Sequence, residues 1–159
     1  MNDVRIRAAG PEDADAVAHV FIASFGTLTF LPTLHTDDET VDFVTNTVMA
    51  EQEVSVAEVG GEIVGFVALS ARGLEHLYVH PDHQGRGIGS ALLEQAKARM
   101  PGGFRFWVFQ ANAGARRFYE RHGCHVVELT DGSGNEERAP DALYEWTPGA
   151  GVERPAEVR

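Results

Sequence analysis

Between a strand-like run, Leu74 to His80, and a helix-like run carrying Leu92, Leu93, Ala96 and Met100 stands Gln84-Gly85-Arg86-Gly87-Ile88-Gly89-Ser90. Three glycines at alternate positions let a backbone approach a ligand closely and take positive φ where a side chain would resist it. The helix begins directly after them, so N–H groups at its positive end point outward. Such a turn suits an anion, a phosphate or pyrophosphate, and Arg86 adds a formal charge. Two other glycine motifs do not fit. The dinucleotide pattern needs glycine where Ser90 stands, and the P-loop needs a lysine that is absent here. A glycine-rich turn with no ligand is the competing reading of the turn alone.

The flanking patterns place this turn in a larger scheme. Val4 to Arg7 alternates apolar and basic residues, as a half-buried strand does. Pro11 with Glu12, Asp13 and Asp15 suits a helix start, and Ala14, Val17, Ala18 and Phe21 follow at helical spacing. Ser24 to His35 reads as an apolar, Thr-rich loop containing Phe30. Thr36 and Glu39 form a capping box before a second helix with Val41, Val44 and Val48 on one face. Val54–Val59 and Glu62–Ser70 make a hairpin about Gly60-Gly61. Phe104 to Phe109 predicts a strand, Ala113 to His122 a helix, and Cys124–Leu129 with Ala142–Thr147 a last strand pair. The order β-α-α-β-β-β-α-β-α-β-β points to an α/β (α+β) fold with a mixed sheet.

At 159 residues the chain fits one domain, expected over 1–147, with a frayed tail over 148–159. No apolar run is long enough for a membrane span, and residues 1–13 lack the apolar stretch of a signal peptide. The single cysteine, Cys124, excludes an internal disulfide and a cysteine metal cluster, and a reducing, cytoplasmic setting fits best. The net charge of -11 argues against nucleic acid and anionic membrane as partners. Between Ala8 and Ala71 there are eleven acids and no Lys or Arg, so that stretch carries all of it. It is a solvated surface or a lure for a cationic ligand.

The turn resembles the signature of the GNAT-type N-acetyltransferases, Gln/Arg-x-x-Gly-x-Gly/Ala between a strand and a helix. Leu77-Tyr78-Val79-His80-Pro81 before it and Ser90-Ala91-Leu92-Leu93 after it extend the likeness. A second block, Asn112 before a helix bearing Phe118-Tyr119-Glu120 and then Gly123, resembles that family too; Cys124 stands where the family usually has Phe. The resemblance implies a mostly antiparallel central sheet of about six to seven strands flanked by about four helices. It also implies acetyl-CoA as cosubstrate without a metal, and it suggests a homodimer.

By that resemblance the CoA pyrophosphate would lie on the N–H groups of Gly85, Gly87, Gly89 and Ser90, beside Gln84, Arg86 and Ile88. The pantetheine arm would pair with the backbone of Leu77 and Val79, next to Tyr78, as an added strand does. Asn112 would hold the far amide of the arm or help splay the neighbouring strands, with Phe118 nearby. Tyr119 matches the position of the acid that protonates the departing thiolate; an aromatic core residue is its other reading.

An alkyl amine is about 0.04% neutral at pH 7, so attack on a thioester needs a proton acceptor. Glu75 shares a strand face with Leu77 and Val79 and is the candidate, although the family's carboxylate usually stands where this chain has Gly73. His76 and His80 point the other way, which argues against a metal site with His83. The acceptor is expected between the Ser24–His35 loop with Phe30, the second helix, and the Thr130–Asp141 loop. There Glu136, Glu137 or Asp141 would attract a cationic amine. A small cationic molecule is expected as acceptor; a protein N-terminus or lysine is the alternative, and a non-catalytic acyl-CoA sensor the rival of another class.

Overall fold

Arg7 ties the first strand to the first helix. Its guanidinium donates to both carboxylate oxygens of Asp13, at 2.8 and 3.0 Å, and to Glu58 on the neighbouring strand at 3.0 Å. Asp13 also accepts the Gly10 N–H, so this buried carboxylate is fully engaged. The computed structural model describes residues 3–149. It divides into two compact units, the first ending at Arg99 and the second beginning at Met100.

In the first unit, β1 (Val4–Ala8), β2 (Glu53–Val59), β3 (Glu62–Ser70) and β4 (Gly73–Val79) form an antiparallel sheet in sequence order. Pro11–Asp13 is a 3-10 turn leading into α1 (Ala14–Phe25). The capping box is realised: Glu39 N–H donates to Thr36 Oγ1 and Thr36 N–H to Glu39 Oε1. It opens α2 (Asp37–Phe43), which runs through a π-helical turn, Val44–Val48, into α3 (Met49–Glu51). Val17, Ala18 and Val20 of α1 join Val44 and Val48 against Val54, Val56, Phe66 and Ala68 on one sheet face.

The opposite face carries α4 (Ile88–Arg99). Gly65 alternates with Phe66, and a Cβ there would come within 3.0 Å of Leu92 Cδ1. That glycine lets α4 lie close on the sheet. Gln95 adds a bond to Ser55 Oγ at 3.2 Å, and Ile88, Leu92, Leu93 and Ala96 are buried.

The second unit is a three-stranded antiparallel sheet in the order β5–β7–β6, with β5 (Phe104–Phe109), β6 (His125–Leu129) and β7 (Asp141–Trp146). Its helix α5 (Ala113–Arg121) is capped by Asn112, whose Oδ1 accepts the Ala115 N–H. Among the described residues there are seven strands, within the expected six to seven, all paired antiparallel and grouped by hydrogen bonding as four and three. The first two residues of the expected Ser24–His35 loop are helical, since α1 reaches Phe25. Of the expected tail, residues 150–159 lie outside the described residues. Among the described residues no helix is long and apolar enough to cross a membrane.

Candidate functional site

In the first unit, β4 ends its sheet, and its free edge is decided by alternation. His80 N–H donates to Val64 C=O at 2.8 Å, while the register sets Val79 opposite Gly65 and Leu77 opposite Val67. Antiparallel ladders bond every second pair, so Tyr78 and His80 turn their backbone groups toward β3. Leu77 and Val79 turn theirs away from it. The Val79 carbonyl is already held: Ser24 Oγ donates to it at 2.9 Å and Gln84 Nε2 at 3.1 Å. Gln84 thus braces the strand end that leads into the turn.

The turn itself is exposed from Gln84 to Gly87. Gly85 has φ 78° and Gly87 φ 84°, and a Cβ at either would meet no heavy atom within 4 Å. Backbone conformation, and not crowding, therefore demands glycine at both positions. The Ala91 N–H donates to Gly87 C=O at 3.1 Å, so the amides of Ile88 and Gly89 precede the ladder of α4. A helix start of this geometry can take an anion, and the exposed Arg86 lies inside the turn.

Glu75 lies at the hairpin end of β4. Its Oε2 accepts Ser70 Oγ at 2.5 Å and Arg72 Nε at 3.4 Å. On the other face of β4 is an aromatic group with no sequence signal of its own. His76 meets Phe21 edge-on at 5.4 Å and Phe43 at 6.0 Å, and Phe21 meets Tyr78 at 5.1 Å. Burial lowers the His76 pKa to about 4, so the ring is neutral. His80 stacks on His19 at 5.5 Å. Phe30 is 41% exposed on the loop after α1.

In the second unit, Tyr119 is buried, its ring 4.5 Å from Phe106, 5.1 Å from Phe118 and 6.4 Å from Tyr144. The Tyr144 hydroxyl donates to Glu120 at 2.6 Å and accepts from Arg116 at 3.0 Å, clamping α5 on either side of Tyr119. Cys124 is buried. In the loop before β7, Asp141 gives one oxygen to Thr130 Oγ1 and the other to Asn135 Nδ2, so this carboxylate braces the loop. Glu136 is exposed and Glu137 half-buried on the same loop. A cleft of about 590 Å3 opens there, lined by Trp107, Phe109, Thr130, Asn135 and Asp141 among others.

The family model for the acetyltransferase (GNAT) domain matches residues 50–123, which contain both the glycine turn and Tyr119. An uncharacterised N-acetyltransferase of Archaeoglobus fulgidus is 30% identical over 148 residues, covering 84% of this chain and 100% of that protein. The chain belongs to the GNAT family of acetyltransferases. The peptidyl-lysine N-acetyltransferase YiaC of Escherichia coli is 30% identical to this GNAT chain over 67% of it and 71% of YiaC. An uncharacterised N-acetyltransferase of Methanocaldococcus jannaschii is 37% identical over 48% of the chain, which spans 41% of that relative. Among solved structures, apo YjaB of Escherichia coli shares the fold with a TM-score of 0.76 at 24% identity, covering 92% of this chain and 99% of that one. So does the PaiA N-acetyltransferase of Thermoplasma acidophilum in complex with coenzyme A, with a TM-score of 0.72 at 21% identity, over 91% and 99%. Ser24, His76 and Trp107 are the residues of interest that the GNAT motifs do not reach. Only Trp107 had a signal, as a large aromatic on the outward parity of β5.

Proposed function

We propose that this GNAT chain transfers acetyl directly from acetyl-CoA to a primary amine on a small cationic molecule, within one domain over 1–147. The carrying observation is the turn at Gly85 and Gly87, with left-handed glycines ahead of α4 beside an edge strand whose Leu77 and Val79 backbone faces outward. The residues present fit CoA. The amides of Gly85, Gly87, Gly89 and Ser90 take the pyrophosphate with Arg86 and Ile88, and Gln84 holds the strand end. Leu77 N–H and C=O pair with the peptide-like arm beside Tyr78. Asn112 and Phe118 serve its far end. Acetyl-CoA supplies the thioester. Glu75 takes the ammonium proton, directly or through water, and Tyr119 returns a proton to the sulfur. Phe30, with Glu136 and Glu137, gathers the acceptor; Asp141 acts there by holding the loop.

Thiol release from acetyl-CoA, measured against a panel of amines, tests this. Turnover with at least one primary amine is expected, and Tyr119→Phe should lower kcat by about a hundredfold. Binding of CoA in calorimetry with no thiol release from any amine would leave a sensor instead. A second reading, acetylation of a protein lysine, is favoured by the likeness to YiaC. Incorporation of acetyl into a lysine peptide at a higher kcat/KM than into any small amine would select it.

A further inference from the structure

We propose that the cleft at the end of β5 receives the side arm of the acceptor, and that this arm is an uncharged aryl group; the inference rests on the transferase reading above. Trp107 is 54% exposed, an unusual state for so large an apolar ring. It projects from the same face of β5 as Phe109, with Leu143 as its cross-strand partner. The cleft's volume lies in the range of small-molecule sites.

Its polar lining is already satisfied. Asp141 is used by Thr130 and Asn135. Asn135 in turn holds Ala139 through both its amide nitrogen and its oxygen, at 2.7 and 3.2 Å. Ser133 N–H turns to Asp131. Glu136 and Glu137 of the same loop are not among the lining residues, and both Asp141 oxygens are already held, so the cleft itself offers a second ammonium little, which disfavours a polyamine. What remains to bind is the carbon surface of two aromatic rings. The cleft lies one short turn from the helix that carries Tyr119: Phe109 C=O accepts the Asn112 N–H at 3.0 Å, and Asn112 caps that helix, while the Tyr119 ring packs on the other face of β5 against Phe106.

The test compares phenethylamine with ethylamine and 1,3-diaminopropane by thiol release. Phenethylamine should exceed both in kcat/KM by about tenfold, the transfer value of part of a ring. Trp107→Ala should cut the phenethylamine-to-ethylamine ratio by about the same factor, and Trp107→Phe should retain most of it. A second readout is independent of turnover: in Trp146→Phe protein, phenethylamine should saturably quench the emission of Trp107. Thiol release with an unchanged ratio in Trp107→Ala overturns the cleft assignment and leaves the transferase reading intact. No thiol release from any amine overturns the transferase reading. Saturable quenching would then still support the cleft, and its absence would overturn that as well.

Discussion

His76 is an imidazole placed where its charge is expensive. It sits among Phe21, Phe43 and Tyr78, and burial brings its pKa to about 4 against 6.5 for the unfolded chain. Between those values the unfolded chain binds the proton and the folded one does not, so stability rises with pH across that window. Roughly 3 kcal/mol present above pH 6.5 should be lost on acidification to about pH 4. Urea midpoints at pH 7 and 4.5 measure it, and His76→Phe should flatten the difference. Ser24 is a second residue whose weight comes from one bond. Ser24→Ala removes a donor from the Val79 carbonyl, and a loss of about 1 kcal/mol is expected. Calorimetry should also show weaker CoA binding, since the same carbonyl anchors Gln84.

At the scale of elements, the helix starts carry the testable content. Thr36 and Glu39 bond reciprocally at the head of α2, and Thr36→Ala should cost about 1 kcal/mol in a thermal or urea transition. At α4 the expectation differs in kind. A Cβ at Gly87 has room but the φ of 84° resists it. Gly87→Ala should therefore leave the packed face of α4 intact while distorting the exposed amides. CoA affinity falls by about tenfold or more, with a drop in stability of about 1–2 kcal/mol. Equal losses in Gly65→Ala, whose Cβ would press on Leu92, would mean that packing of α4 and not turn geometry sets CoA binding. Both helix starts were legible because caps and glycine turns are short-range. The π-helical turn at Val44–Val48 was not, because nothing in its residues marks a widened helical turn.

For the molecule as a whole, charge is the property read at long range. The net -11 comes from the stretch between Ala8 and Ala71, and on the proposed reading the acids at 136 and 137 would add to the field met by a cationic acceptor. The KM for such an amine should rise with ionic strength between about 10 and 150 mM, where screening lengths contract. Replacing Glu136 and Glu137 together by Gln should flatten that dependence. An unchanged salt slope would assign both to a solvated loop.

The amino-acid order by itself determined the strand and helix sequence, the glycine turn and the family, because periodicity, caps and the Gln84–Gly89 spacing act over a few residues. Tertiary structure alone decided which groups are engaged. Ser24 reaches Val79 from far along the chain, Asp141 is consumed by Thr130 and Asn135, and burial among aromatic rings keeps His76 neutral. Hydrogen bonding and desolvation depend on neighbours brought together by folding, and no local pattern records who those neighbours will be.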